Sequence, residues 1–243
     1  MFAHVTIRAS DRPASERFYR TVLGAIGVEA THDTTKIVAW DDFAIIAADA
    51  EHPPTRHLHV GFVAPSREHV DAFWRAGTDA GYTDAGQPGE RPKYKPDYYG
   101  AFLLDPGGNS AEAVDHGDTR RGGNIDHLWI RVRELGAAES FYRTIARHTG
   151  LREGHRWEQG VQFRGAWATF SLVHDGAPPS EQLHIAFPVP DRQTVEQFHR
   201  AATDAGYRSN GELGERPQYG PGYYAAYVFD PDGANIEAVY RPS

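Results

Sequence analysis

Cysteine is missing altogether from these 243 residues, and methionine occurs once. Without thiols there is no disulfide, no thiolate nucleophile and no Cys-ligated zinc or iron–sulfur centre, so any metal rests on histidine and carboxylate side chains. Basic residues are the minority charge, 25 Lys+Arg against 33 Asp+Glu for a net charge of −8. With no basic stripe, that balance argues against a nucleic-acid partner. No run approaches the roughly 18 uncharged apolar residues of a membrane span. The opening Met1-Phe2-Ala3-His4-Val5-Thr6-Ile7-Arg8 lacks the basic-then-apolar order of a secretion signal. A cytoplasmic protein with no membrane partner is therefore expected. What is present, 40% hydrophobic and 12% aromatic residues, suits a globular chain able to bury a core.

Repetition organises the rest. Residues 89–114 read GERPKYKPDYYGAFLLDPGGNSAEAV, and residues 214–239 read GERPQYGPGYYAAYVFDPDGANIEAV, the same segment displaced by 125 positions. Upstream, Phe18-Tyr19-Arg20-Thr21 recurs as Phe141-Tyr142-Arg143-Thr144, displaced by 123. A hairpin turn can absorb the two-residue difference. The chain is a tandem duplication, with a first unit over 1–117, a polar, Gly-rich linker over 118–124 and a second unit over 125–243.

Each unit shows one rhythm twice. His4 to Arg8 alternates polar and apolar as a strand does. Ser10-Asp11-Arg12-Pro13 then opens a helix whose apolar face carries Phe18, Tyr19, Val22 and Leu23, stopping at Gly24 or Gly27. Short strands follow over 28–48, and the pattern restarts at Leu58–Val63, with Pro65-Ser66 opening the next helix. The second half repeats this with strands at His127–Val132 and Leu183–Val189. The reading is four βαβββ modules.

Strand alternation sets His4, Thr6 and Arg8 against Val5 and Ile7, and His127, Trp129 and Arg131 against Leu128, Ile130 and Val132. His57, His59 and Gly61 oppose Leu58, Val60 and Phe62, while His184 opposes Leu183 and Ile185. The apolar face packs on the helix; the other lines whatever the sheet curls around. Three His pairs keep register between copies, His4/His127, His32/His155 and His59/His184, and the last strand adds Glu112/Glu237. Two imidazoles and one carboxylate make a facial ligand set with about three positions left for water, oxygen or substrate. Grouped by copy, the sets are His4, His59 and Glu112, and His127, His184 and Glu237; modules can also pair across copies. An isolated strand histidine is more often a satisfied surface or core residue. Both readings are open on the residues alone.

These residues and motifs resemble the vicinal oxygen chelate superfamily, the glyoxalase, bleomycin-resistance and extradiol-dioxygenase group. The resemblance rests on the early strand with His4 or His127, the Phe-Tyr helix, the mid-unit His59 or His184, and the closing runs Asp105-Pro106-Gly107-Gly108-Asn109-Ser110-Ala111-Glu112 and Asp230-Pro231-Asp232-Gly233-Ala234-Asn235-Ile236-Glu237. It implies an α+β fold, a tandem pair of units whose four βαβββ modules form two half-open eight-stranded barrels around a divalent metal. The implied ligands are His4, His59, Glu112, His127, His184 and Glu237, with Fe2+ the first choice and Mn2+, Zn2+ or Ni2+ also suited.

Departures narrow the function. Glyoxalase I uses a fourth ligand, a Glu, where Phe43–Ala48 and Trp167–Leu172 hold no carboxylate; this disfavours a two-His-two-Glu lyase. Complete ligand sets argue against pure drug sequestration. Extradiol dioxygenases place a Tyr where Tyr227 stands, with Phe102 in the first copy, but also a His near Lys95 or Gly220 that neither copy supplies. The expectation is dioxygenase-like chemistry on a small oxygen-rich organic molecule, in a monomer or homodimer. The alternatives are a metal-assisted isomerase, epimerase or lyase, and a non-catalytic antibiotic-binding protein. Tyr98, Tyr99, Tyr223 and Tyr224 flank the path into the Glu strand, and Tyr99, Tyr224 and Tyr227 are taken as proton-transfer groups unless they merely pack. Arg8 and Arg131 share the ligand face and suit an anionic substrate group. Trp40, Trp129 and Phe102 are expected on an aromatic pocket wall, His32 and His155 as bases or supporting groups, and Arg91 and Arg216 at a cavity mouth or tied to Glu90 and Glu215.

Overall fold

The first module holds β1 (His4–Ala9), α1 (Arg12–Gly24), β2 (His32–Asp33), β3 (Ile37–Trp40) and β4 (Phe43–Ala47). The second holds β5 (His59–Val63), α2 (Arg67–Asp79), β6 (Thr83–Glu90), β7 (Tyr99–Leu104) and β8 (Ser110–Asp115). The third runs β9 (Ile125–Arg131), α3 (Leu135–Thr149), β10 (Arg152–Trp157), β11 (Gly160–Arg164) and β12 (Thr169–Val173). The fourth runs β13 (His184–Pro188), α4 (Arg192–Asp204), β14 (Gly214–Glu215), β15 (Tyr224–Phe229) and β16 (Asn235–Tyr240). These come from a computed structural model that describes residues 1–117 and 122–242.

Local signals set the helix ends. Asp11 Oδ1 accepts the Ala14 N–H at 2.9 Å, and Asp191 Oδ1 accepts that of Thr194 at 2.7 Å, each satisfying one donor that a helix leaves unpaired. Ser66 heads α2 without capping it; its hydroxyl donates to Glu68 instead. Of the linker expected at 118–124, residues 118–121 lie outside the described residues. Asn124 is fastened rather than free: its backbone N–H donates to Asp42 at 2.8 Å and its carboxamide to the Trp40 carbonyl at 2.9 Å.

Strands pair across the two copies. One sheet runs β14-β15-β16-β13-β1-β4-β3-β2 and joins the first module to the fourth; the other runs β10-β11-β12-β9-β5-β8-β7-β6 and joins the third to the second. Each has an antiparallel seam at its centre, β1 with β13 and β5 with β9, flanked by parallel pairs. Helices pack within a copy, α1 on α2 and α3 on α4. The apolar strand faces meet them in one core: Phe18, Tyr19, Val22 and Phe62 are fully buried, and Phe43 of one sheet meets Phe62 of the other edge to face at 5.1 Å. Such contacts tie the two sheets together through burial of aromatic surface.

The Asp-Pro-x-Gly runs shape the hairpins that deliver the ligand strands. Asp230 Oδ1 accepts the N–H groups of Asp232 and Ala234 at 2.9 and 2.8 Å, while the other oxygen lies 3.5 Å from the Tyr142 hydroxyl. Asp105 does the same with Gly107, Asn109 and Tyr19. Gly108 and Gly233 take φ of 82° and 89° in these turns, a conformation that costs glycine little. Burial pushes the Asp230 carboxyl up to about 7, despite the N–H bonds from Ala234 and its neighbours. A carboxyl raised on folding favours the folded state below its unfolded value, near 4, and loses that contribution as pH climbs through about 7. The wild type is therefore expected to lose about 2 kcal/mol from this group between pH 5 and 8, and Asp230→Asn to lose none of it. Parallel denaturation curves for the two proteins at both pH values would refute the assignment.

Candidate metal centres

Cross-strand register assembles each centre. His127, Gly61 and Glu112 are direct neighbours across β9, β5 and β8, with His59 two residues along β5. His4, Ala186 and Glu237 form the same row across β1, β13 and β16, with His184 beside it. Side chains in a row point to one face, about 4.8 Å apart per strand. A histidine and a glutamate two strands apart can therefore lean together only over a small middle residue. At Gly61 a Cβ would fall 2.3 Å from the His127 ring.

This corrects the grouping by copy. His4 joins His184 and Glu237, and His127 joins His59 and Glu112. In the central centre, made by the second and third modules, His59 Nε2 lies 3.0 Å from Glu112 Oε2 and 3.1 Å from His127 Nε2, and His127 Nε2 lies 3.3 Å from the same oxygen. In the terminal centre, made by the first and fourth modules, the corresponding separations are 2.9 Å between the imidazoles and 3.1 and 3.4 Å from Glu237 Oε2 to His184 and His4. Ligand atoms about 2.1 Å from one cation and at right angles to each other sit about 3.0 Å apart. The donors present fit a divalent metal held on one face. Among the described residues each group has three members, and Ala44 and Ser171 occupy the inner-face positions next to Thr6 and Trp129.

Supporting contacts fix the rings. His59 Nδ1 bonds Ser110 Oγ at 2.9 Å, His184 Nδ1 lies 2.6 Å from the Asn235 carboxamide, and His127 Nδ1 donates to Asp126 Oδ2 at 2.9 Å. Such partners orient a ligating imidazole and raise its basicity. Burial pulls His59 and His4 below the usual imidazole value. Burial opposes charge on His127 too, but its bonds to Asp126 and Glu112 outweigh that and push it up to about 10. Burial would raise Glu112, yet the bonds from His127 and His59 bring it down to about 2. The balance of these contacts favours charge on His127 over His59.

The tyrosines sort differently from expectation. Tyr99 and Tyr224 are corrected: their hydroxyls donate to Asp71 and Glu196 on the helices, at 2.9 and 3.2 Å, away from the ligands. The preceding residues reach the centres, Tyr98 donating to Glu112 Oε1 at 2.7 Å and Tyr223 to Glu237 Oε1 at 2.6 Å. Tyr227 faces the terminal centre, opposite Glu237 in register and 6.4 Å from the His184 ring; Phe102 holds that place in the central one, 5.9 Å from His59. Arg131 opens onto the central cavity and pairs with Asp175 at 3.0 Å. Arg8 is half-buried near Asp49 on the terminal side, and burial lowers it. Arg91 and Arg216 lie over Phe102 and Tyr227 and donate to the backbone of Gln87 and Glu212. Glu90 and Glu215 pair instead with Arg67 and Arg192.

A cavity of about 1000 Å³ opens over the central centre. Trp129, Phe102 and His155 line it, whereas Trp40 is buried in the core against Tyr19 and Phe43, and His32 lies exposed on β2. Asp126 escaped the sequence reading. Its signal is a break in the repeat, since Ala3 stands in the same place before His4.

Two half-open barrels with paired His, His and Glu ligand sets define a tandem, metal-capable βαβββ protein. The sequence matches the Glyoxalase/Bleomycin resistance protein/Dioxygenase superfamily over residues 1–113 and 124–238, and the chain belongs to that superfamily. The uncharacterized protein YqjT of Bacillus subtilis (strain 168) is 24% identical over 124 residues, which span 47% of this chain and 97% of that protein. Glyoxalase I from Zea mays superposes with a TM-score of 0.69 at 16% identity, over 98% of this chain and 92% of that one. A putative dioxygenase from Bacillus subtilis gives 0.67 at 15%, over 100% and 85%. At such identities the likeness is one of fold. No described helix is long and apolar enough to cross a membrane.

Two outcomes are expected. Gly61→Val drives a branched side chain into the space of the His127 ring and weakens metal binding at the central centre by at least about tenfold. Titration calorimetry on that variant should then count one tight site where the parent has two, with an unchanged far-ultraviolet spectrum. Because the cation must displace the His127 proton, affinity at the central centre, isolated in a Glu237→Gln background, should rise about tenfold per pH unit between pH 6 and 9. A flat profile would contradict the assigned protonation.

Proposed function

We propose that this chain is a divalent-metal-dependent enzyme that holds a small oxygen-rich organic substrate through two neighbouring oxygens and carries out dioxygenase-type chemistry. The observation that carries the reading is the triangle of His59 Nε2, His127 Nε2 and Glu112 Oε2, 3.0 to 3.3 Å on a side, at the floor of a cavity of about 1000 Å³. Three ligands on one face leave room beside them for a chelating substrate and a further small ligand. A bound divalent ion, Fe2+ first and Mn2+, Zn2+ or Ni2+ as other candidates, supplies Lewis acidity and, when ferrous, a place for dioxygen next to the substrate. Tyr98 holds the free oxygen of Glu112 and so fixes which oxygen ligates. Asp126 locks His127 in one ring orientation. Arg131, on the same strand face two residues beyond Trp129, attracts an anionic group to the cavity.

On this reading the 1–117 and 125–243 units are repeats in sequence, while the working units are the cross-copy pairs. The chain acts in the cytoplasm as a monomer or homodimer on a small-molecule substrate. The test is oxygen uptake by Fe2+-loaded protein with a panel of catechols and related diols. Uptake is expected, with Glu112→Gln slowing it at least about 100-fold and Glu237→Gln, remote from the cavity, leaving most of it. Metal bound without oxygen uptake, but with solvent exchange of a substrate C–H, would move the assignment to an isomerase or lyase. No metal bound at all would make the chain a binding protein.

A further inference from the structure

The two centres differ in what stands behind one of their histidines. His184 and Asn235 are neighbours across β13 and β16, as His59 and Ser110 are across β5 and β8. Behind Asn235 lies Asn210, on the loop between α4 and β14, whose backbone N–H donates to the Tyr227 carbonyl at 2.9 Å. Asn210 Nδ2 donates to Asn235 Oδ1 at 3.0 Å, and Asn235 Nδ2 donates to His184 Nδ1 at 2.6 Å. In the first copy Ala85 takes the place of Asn210. There the Ser110 hydroxyl, 2.9 Å from His59 Nδ1, can donate or accept simply by rotating.

A carboxamide has an acceptor oxygen and a donor nitrogen, so two of them in series, ending on a neutral imidazole, have two consistent arrangements. With Asn235 Oδ1 turned to Asn210, its nitrogen faces His184 and Nδ1 accepts. The ring proton then sits on Nε2, 3.1 Å from Glu237 Oε2 and 2.9 Å from His4 Nε2, and Nε2 has no lone pair to give a cation. With both carboxamides reversed, Asn235 Oδ1 accepts a proton from Nδ1 and Nε2 is open to ligate, but Asn210 must accept where it now donates. An aspartate at 210 has no donor and satisfies the second arrangement alone. Of the four asparagines, Asn210 is the one followed by glycine, at an exposed turn where Gly211 has φ of 106°. A glycine nitrogen, unhindered by a side chain, attacks the carboxamide carbon of a preceding asparagine; ammonia leaves, and water opens the cyclic imide to a carboxylate, as aspartate or its β-linked isomer. One water is consumed and one ammonia released, with no change of oxidation state.

We propose that Asn235 and Asn210 form a relay that decides whether His184 can ligate, and that Asn210 is a modification site whose deamidation sets the relay for a divalent cation. This requires the terminal His4, His184 and Glu237 set to hold a metal and asks nothing of the reaction at the central cavity. Reversing the two carboxamides opposes metal binding by about the worth of one hydrogen bond. A carboxylate behind Asn235 removes that opposition and, through the amide, makes the imidazole a better donor.

The experiment is Mn2+ calorimetry on full-length protein in a Glu112→Gln background, which leaves the terminal centre as the tight site. Asn210→Asp should tighten Mn2+ binding by about threefold to tenfold. Asn235→Ser, which copies Ser110, should cut the effect of Asn210→Asp to less than about twofold; a full effect in that background would mean charge alone and overturn the relay. Protein aged in mildly alkaline buffer should show, in the peptide holding Asn210, the mass change of an amide turned to an acid, and should gain affinity alongside, while Asn210→Ser gains none. A carboxamide still intact at 210 after ageing would overturn the modification. Imidazole nitrogen NMR of chelator-treated protein reads the relay without any metal. The His184 signal, assigned by its loss in His184→Gln, should report a proton on Nε2 with Asn210 and on Nδ1 with Asn210→Asp; the same nitrogen protonated in both would overturn the relay. If no variant binds Mn2+ at the terminal centre, the metal reading there fails by itself, and these spectra then decide the relay.

Discussion

Two antiparallel seams, β5 with β9 and β1 with β13, hold the architecture and both centres in register. A metal-capable triad needs a histidine and a glutamate from strands two apart, and the strand between must present almost nothing. Gly61 and Ala186 meet that requirement. One residue of slip would turn the histidines of β1 and β9 to the helix side and put Val5 and Leu128 over the ligands. The burial of Val5, Ile7, Leu128 and Ile130 against the helices therefore guards the site as well as the core. A single hydrophobic pattern determines both.

The motifs most useful for recognising the family are structural in role. Tyr19 and Tyr142, of the Phe-Tyr helices, are fully buried and meet Asp105 and Asp230 of the Asp-Pro-x-Gly turns. Those aspartates use their remaining acceptor capacity on turn N–H groups, so each turn is tied to a helix of its own copy. Because each turn leads directly into β8 or β16, this anchor sets the height at which Glu112 or Glu237 enters the sheet. The chemistry sits a few residues on, in side chains that would look ordinary without their partners.

The two centres began as copies and no longer match. Asp126 supports His127, whereas Ala3 precedes His4; His116 bonds Asp126 at 2.8 Å, whereas the equivalent Arg241 lies over the Tyr223 ring. Arg241 places positive charge near His4, opposing a second cation, while Asp126 favours one at His127. The close approaches point the same way: Gly61 and Gly100 let the His127 ring and Glu112 lie tight against the sheet, where Ala186 and Ala225 stand in the terminal centre. Divergence after duplication has concentrated the carboxylate support on the central pair of modules.

The order of elements, the duplication and the residue types on the inner strand faces follow from the sequence alone, since each depends on local periodicity or on repetition. His4, His59, Glu112 and their second-copy counterparts stand out because a packed strand would carry Val there. Which of them meet is another matter. Both copies carry the same local signals, so nothing within a strand says whether β5 pairs with β1 or with β9; only the long-range packing of helices within a copy and strands across copies decides. The choice between Tyr98 and Tyr99 failed for a related reason. Neighbouring residues at a strand entrance face opposite sides, and β7 begins at Tyr99, so Tyr98 turns in to Glu112 and Tyr99 turns out to Asp71. Trp40 illustrates the same limit, an aromatic whose side of the sheet depends on register and which proves to be core. Alternation gives the set of possible faces; the pairing partner, contributed from more than a hundred residues away in β1 and β13, selects one.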